Sequence, residues 1–222
     1  MELLVTRGVF VGQPRTLVDA EGQEFRSAIA RAPAAGPVLA TRLGFVGDAV
    51  GNTRVHGGPD MALCVYPASH YERWRTEPAF RFDAAPAFGE NLLLDGATEA
   101  ELCIGDLFEV GAVQLEITKP REPCSKLARF NHWPELPELV RREGRCGFYV
   151  RVLVEGWLST GQAWHRLARP HPEWTVRRAH AQRHDRVEGA DGDRALAALT
   201  ALDPGWQRTL AARAQGLEPP PD

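Results

Sequence analysis

Up to about residue 165 the apolar residues of this chain come in short runs cut by Gly, Pro and Asp. Runs of that length pair as strands but are too short to cover one face of a long helix. Val113, Leu115 and Ile117 alternate with Gln114, Glu116 and Thr118, which puts the three apolar side chains on one face of a sheet. Phe148, Val150, Val152 and Val154 repeat the pattern in the stretch that starts at Cys146. Residues 102–118 read as a strand pair, with Gly105 and Gly111 suited to the bends. The 17 prolines and 21 glycines fit a body of many turns. Two short helices interrupt it. One is expected to begin at Pro67 and to carry Tyr71 and Trp74 on one face. The other spans residues 134–142, with Leu136, Leu139 and Val140 inward and Gly144 ending it.

Beyond His165 the β-branched residues thin out, and Ala, Leu, Arg and Trp recur at helical spacing. Ala195, Ala198, Leu199 and Leu202 form an amphipathic stripe, with Asp193 expected to cap the start of that helix. Asp203 and Pro204 read as the cap and first residue of the next helix, which presents Trp206 and Leu210, and a shorter helix is expected over residues 174–182. Residues 1–165 are therefore read as a β-rich domain and 166–217 as a three-helix domain. The Pro-rich residues 218–222 are read as a disordered tail.

A chain of 222 residues buries a substantial core without staples, and a net charge of −3 announces no nucleic-acid or membrane partner. The arginines at 177, 178, 183 and 186 are interrupted by acids and read as a solvated helix face or a partner surface. No secretory signal or membrane span is read, so the expected location is the cytoplasm. The four cysteines form no Cys-x-x-Cys pair. Cys64, Cys103 and Cys146 lie in apolar stretches and are expected in the core.

Cys124 has different surroundings. It sits in Lys119-Pro120-Arg121-Glu122-Pro123-Cys124-Ser125-Lys126-Leu127, directly after the cleanest strand, and the two prolines are expected to stop that strand and stiffen the loop. Lys119, Arg121, Lys126 and Arg129 are close in sequence, and nearby cations favour a thiolate, the form a soft metal or redox centre requires. The same residues also read as an exposed basic turn with an incidental Cys. In Val55-His56-Gly57-Gly58-Pro59-Asp60, His56 stands beside two glycines whose bare backbone lets an anion or polar heterocycle approach, although a tight turn with a solvated His has the same sequence. Phe88-Gly89-Glu90-Asn91-Leu92 offers an amide and a carboxylate before an apolar strand, where a turn role is expected.

Taken in order, these segments resemble the MOSC family (molybdenum cofactor sulfurase C-terminal domain) and its bacterial YiiM-like subgroup. The resemblance rests on Ser27-Ala28-Ile29 with Arg31, Val46-Gly47-Asp48, the His56 segment followed by Tyr66, Gly89-Glu90-Asn91-Leu92, Ile104-Gly105-Asp106 and Pro120-Arg121-Glu122-Pro123-Cys124. It continues through Gly147-Phe148-Tyr149-Val150-Arg151-Val152-Leu153, Gly161, Arg169-Pro170 and Trp174-Thr175, and so covers nearly the whole chain. Two departures are Ser125, where relatives commonly carry an aromatic, and Arg31, where a Lys is common.

The resemblance implies a mainly β fold with α, a closed β-barrel with short surrounding helices and a small C-terminal helical domain. It implies a molybdenum cofactor of the molybdopterin type, with Cys124 as metal ligand. Arg121, Arg31 and Lys119 are the candidates for its phosphate or oxo groups, and Asn91, Gly57, Gly58 and His56 for contacts near the pterin or substrate. The activity implied is reduction of N-hydroxylated compounds, including hydroxylamino base analogues, to amines, with His56 as a proton source beside Cys124. A separate flavin or iron–sulfur protein would donate the electrons. The alternative is a cofactor or sulfur carrier that uses Cys124 without turnover.

Overall fold

The computed structural model describes residues 3–52, 56–82 and 85–218. The chain opens with β1 (Val5–Val11), the hairpin of β2 (Arg15–Val18) and β3 (Glu24–Ser27), and the short β4 (Ala32–Pro33), β5 (Val38–Thr41) and β6 (Gly44–Phe45). A 3-10 turn, Pro59–Met61, precedes β7 (Leu63–Pro67) and α1 (Ser69–Trp74). Next come β8 (Leu92–Asp95), β9 (Leu107–Val110), β10 (Val113–Pro120), α2 (Ser125–Asn131) and α3 (Leu136–Glu143). The strands end with β11 (Phe148–Val154), β12 (Gly156–Leu158) and β13 (Trp164–Ala168), before α4 (Val176–Asp185), α5 (Gly189–Ala197) and α6 (Pro204–Ala214).

One sheet of eight strands, ordered β13-β9-β10-β11-β7-β8-β1-β4, forms the body. All its neighbours are antiparallel except β7 and β8. The sheet curls until a bridge between Val5 and Ala163 brings the start of β13 back to β1, with Thr6 N–H donating to the Gln162 carbonyl and Gly161 N–H to the Thr6 carbonyl. This bridge shortens the free edge that the two strands would otherwise leave at the seam. The expected alternation fills the barrel: Val113, Leu115, Ile117, Phe148, Val150, Leu63, Val65 and Leu92 are all buried in one apolar cluster. A second cluster, with Tyr66, Tyr71, Trp74, Phe88, Leu127 and Leu136, lies under α1, α2 and α3.

The predicted strand pair is present as β9 and β10, turning at Gly111 (φ 61°). Strand β10 runs further than expected, through Lys119 and Pro120, which stand opposite Tyr149 and Phe148 of β11. Pro67 ends β7 opposite Leu94 and does not begin a helix. The helix starts two residues later and still buries Tyr71 and Trp74. Helix α3 ends at Gly144 in the left-handed conformation, as read. Cys64, Cys103 and Cys146 are buried free thiols.

The tail holds three helices, with two corrections. Helix α5 begins at Gly189, so Asp193 lies inside it, fully buried, and accepts hydrogen bonds from Gln182, Arg186 and Arg213. A buried carboxylate with that many donors has no need of a helix N-terminus. Leu199 and Leu202 lie past the end of α5, in turns, and are buried there. Asp203 caps α6 as predicted, accepting from Trp206 N–H at 3.0 Å, with Pro204 following it. Trp174, Val176, Leu196, Leu202, Trp206 and Leu210 belong to the same apolar cluster as the barrel interior. Residues 219–222 of the expected tail lie outside the described residues. Among the described residues, no helix is long and apolar enough to cross a membrane.

Candidate functional site

The face of the sheet opposite the barrel core carries a polar row. Cys64 and Tyr149 are opposite each other on β7 and β11, Lys119 is opposite Tyr149 on β10, and Asn91, just before β8, accepts a hydrogen bond from Cys64 N–H through its Oδ1 at 3.1 Å. Above part of this row opens a cavity of about 470 Å³, lined by Cys124, His56, Arg121, Cys64, Asn91 and Tyr149 among others. Phe45, Met61, Ile29 and Phe88 supply its apolar wall.

Cys124 reaches the cavity because the chain leaves β10 with Arg121 N–H still bonded to the Gly147 carbonyl, runs extended to Cys124 (φ −110°, ψ 166°), and there begins α2. His56 reaches the same cavity from the segment before the 3-10 turn. Its N–H donates to the Asn52 carbonyl, and it is followed by Gly57 and Gly58 at φ 81° and 85°, a left-handed pair that side chains would strain. A Cβ at Gly57 would come within 3.1 Å of Val50, whereas the space beside Gly58 is open. Burial pushes the Cys124 thiol up, but a hydrogen bond from His56 and the positive charge of Arg121 more than reverse this and bring it to about 6. At neutral pH the group is a thiolate.

Arg121 is 5% exposed. Its burial disfavours the charge, while Cys64, Tyr149 and Cys124 around it favour it, with a net rise. Among the described residues its Nη1 is buried and has no hydrogen-bond partner. A buried cationic donor left open at a cavity wall beside a thiolate is a place for an anion.

Residues 52–164 match the model of the MOSC domain. The chain belongs to the MOSC domain family. Over 189 residues, 84% of either chain, this MOSC protein is 34% identical to protein YiiM of Escherichia coli K12. It is 37% identical over 158 residues to a protein of Gibberella moniliformis named Reductase, a match covering 70% of this chain and 28% of that one. The crystal structure of YiiM from Geobacillus stearothermophilus superposes with a TM-score of 0.80 at 31% identity, covering 95% of this chain and 99% of that one.

The other residues singled out from the sequence divide into those that line the MOSC cavity and those that turn away. Arg31 lines it, but its guanidinium is already occupied: Nε and Nη2 bind the two carboxylate oxygens of Asp48 at 2.8 and 2.7 Å, and Nη1 donates to the Gly89 carbonyl. Asn91 also lines it, and its Nδ2 donates to Asp48 at 2.9 Å. Arg31, Asp48 and Asn91 are thus a neutralised strut of the wall. Lys119 is not among the lining residues; its Nζ is 3.5 Å from Asp203 and 5.9 Å from the centre of the Tyr149 ring. Arg129 is bound to Asp19 at 2.7 Å and stacks on Phe25. Of the four cations near Cys124 in sequence, Arg121 and Lys126 line the MOSC cavity. Glu90 takes the turn role read for its segment, buried and accepting from Tyr71 Oη at 2.6 Å and Phe88 N–H at 3.1 Å.

Cys64 and Tyr149 line the cavity without having been singled out from the sequence. Their signal is the alternation itself: with Phe148 and Val150 inward, Tyr149 must point to the other face, toward the end of β10 that leads to Cys124. Burial, and after it the neighbouring Cys64, holds the Tyr149 phenol above its ordinary value, so it stays a hydrogen-bond donor at neutral pH.

Proposed function

We propose that this chain is a molybdenum-cofactor-dependent oxidoreductase that reduces N-hydroxylated compounds, hydroxylamino base analogues among them, to the corresponding amines. The observation that carries the reading is the pairing of a soft, anionic ligand with an open cationic donor in one cavity: Cys124 as thiolate, and Arg121 Nη1 buried with no partner among the described residues. That donor set fits a group that combines a thiophilic metal with anionic oxygens. The MOSC assignment and the relative named Reductase support the same reading.

Cys124 would hold the metal through Sγ, with Arg121 and Lys126 at the anionic groups and the Arg31–Asp48–Asn91 strut keeping the wall rigid. When bound, the cofactor would supply the two-electron redox chemistry. The residues contribute charge, position and protons. Reduction of R–NHOH to R–NH2 and water takes up two electrons and two protons. His56, hydrogen-bonded to Cys124, is the proton source in this reading, an imidazole being suited to proton delivery. The Tyr149 phenol adds a hydrogen-bond donor to the same wall. The electrons come from a separate flavin or iron–sulfur donor protein.

The test is turnover of an N-hydroxylated base with an artificial low-potential donor, by protein made in a host that builds the cofactor. Wild type is expected to form the amine, with Cys124→Ala inactive and His56→Ala reduced about 10²-fold or more. Bound molybdenum without amine formation would replace this reading with a carrier.

A further inference from the structure

None of the residues of the three C-terminal helices lines the cavity, yet polar ties run from them, and from the residues beside them, to the two segments that carry His56 and Cys124. Glu122, two residues before Cys124, lies 3.6 Å from Arg183 of α4. Asp203, the cap of α6, donates its N–H to the Thr118 carbonyl at 3.2 Å and lies 3.5 Å from Lys119 Nζ, both at the end of β10. Arg151, on β11, makes the third tie and the densest one. Its Nη2 is 2.6 Å from Asp60 Oδ1 and donates to the Ala201 carbonyl at 3.1 Å, while Nη1 donates to Glu116 Oε2 at 3.0 Å. Asp60 closes the turn that begins at His56, and its carbonyl accepts the Thr118 hydroxyl at 2.7 Å.

We propose that Arg151 is a positioning residue for the site: by holding Asp60 and the Ala201 carbonyl at once, it makes the C-terminal helical unit the outer support of the turn that presents His56 to Cys124. A cross-strand pair with Glu116, its register neighbour on β10, would satisfy an arginine that served only the sheet. This guanidinium also turns out of the ladder to two further acceptors, one on the His56 turn and one between α5 and α6. Arginine suits the place because its planar fork serves acceptors in different directions, which a lysine ammonium does less well. The turn needs an external hold. Two adjacent glycines lose more conformational freedom on ordering than any other pair, and within it Met61 N–H donates to the nearby Gly58 carbonyl, a local bond that does not tie the turn to the sheet. The assignment takes from the proposed function only that His56 and Cys124 face the working cavity.

Amide hydrogen exchange of the cofactor-free, full-length protein tests it without turnover, so a failed reductase assay leaves the result readable. Arg151→Met is expected to speed exchange at His56 and Met61 about tenfold, while Leu115 and Ile117 in the barrel stay within about twofold of wild type. Arg151→Lys, which still reaches Asp60, is expected to restore most of the protection. Unchanged exchange at His56 and Met61 in Arg151→Met overturns the assignment, and so does equal acceleration in turn and barrel, the mark of an arginine that only cements the sheet. If Arg151→Met does not fold, Asp60→Asn gives the same reading: acceleration confined to the turn supports the role, and none or a uniform one overturns it.

Discussion

Arg121 illustrates how a binding group is tied to the thiolate beside it. Its Nη1 is buried with no partner among the described residues, yet Cys124 and the other groups around it favour its charge. Arg121→Met leaves the partly buried Cys124 anion without that cation, so the cofactor-free variant is expected to lose about 1 kcal/mol or more of stability at neutral pH, read from the denaturant midpoint, and to retain an anionic cofactor less well. A variant as stable as wild type when empty would show that Arg121 and Cys124 are not coupled in the fold. Cys124 gives a second residue-scale expectation. Burial raises its thiol, and the His56 hydrogen bond and Arg121 charge outweigh burial, so alkylation of the cofactor-free protein should rise with pH around a midpoint of about 6. His56→Ala should move that midpoint upward, toward the ordinary thiol value. A midpoint for wild type near 8.5 would remove the thiolate from the account.

At the scale of elements, Asp203 serves α6 as its cap and β10 as the partner of Lys119. Asp203→Ala is expected to cost about 1–2 kcal/mol in denaturant unfolding, and Asp203→Asn clearly less, since Asn also caps but carries no charge for Lys119. Equal losses would mean that the ion pair, not the cap, carries the effect. This cap was legible in the sequence because Asp-Pro before a helical stripe is a local signal. The strands of β10 and β11 were legible for the same reason, their alternation being local. Features that depend on partners distant in sequence were not. Asp193 looks like a cap until Arg186, Arg213 and Gln182 converge on it. Pro67 looks like a helix start until β8 pairs beside it. Helix α2 begins at Cys124 behind Pro123, where the sequence was read only as a loop. Within the site, Cys124, His56 and Arg121 stood out by local chemistry, whereas the turn of Lys119 toward Asp203 and the occupation of Arg31 by Asp48 are set by residues 84 and 17 positions away.

For the molecule as a whole, the helical tail and the barrel share one apolar cluster, so acid that breaks the tail should be felt in the global transition. Burial raises the Asp193 carboxyl, but the hydrogen bonds from Arg213 and Gln182 outweigh it and leave the group below the ordinary carboxylate range. A depressed carboxyl contributes stability that is complete above its unfolded value, near 3.9, and is lost as pH falls through the lower folded value. Unfolding free energy should therefore fall with acid below about pH 4, and Asp193→Asn should flatten that part of the profile while being less stable at neutral pH, because Arg213 loses its counter-charge. An unchanged acid limb in Asp193→Asn would assign acid sensitivity to other carboxylates. The barrel, the tail and the two loops they hold converge on one atom, Cys124 Sγ. The most direct measurement is the molybdenum content of wild type and Cys124→Ala, purified from a host competent to build the cofactor, with the variant shown to be folded. Wild type is expected to hold molybdenum and Cys124→Ala to have lost it; equal molybdenum in the two, or none in either, would rule out Cys124 as the ligand of a molybdenum cofactor in this protein.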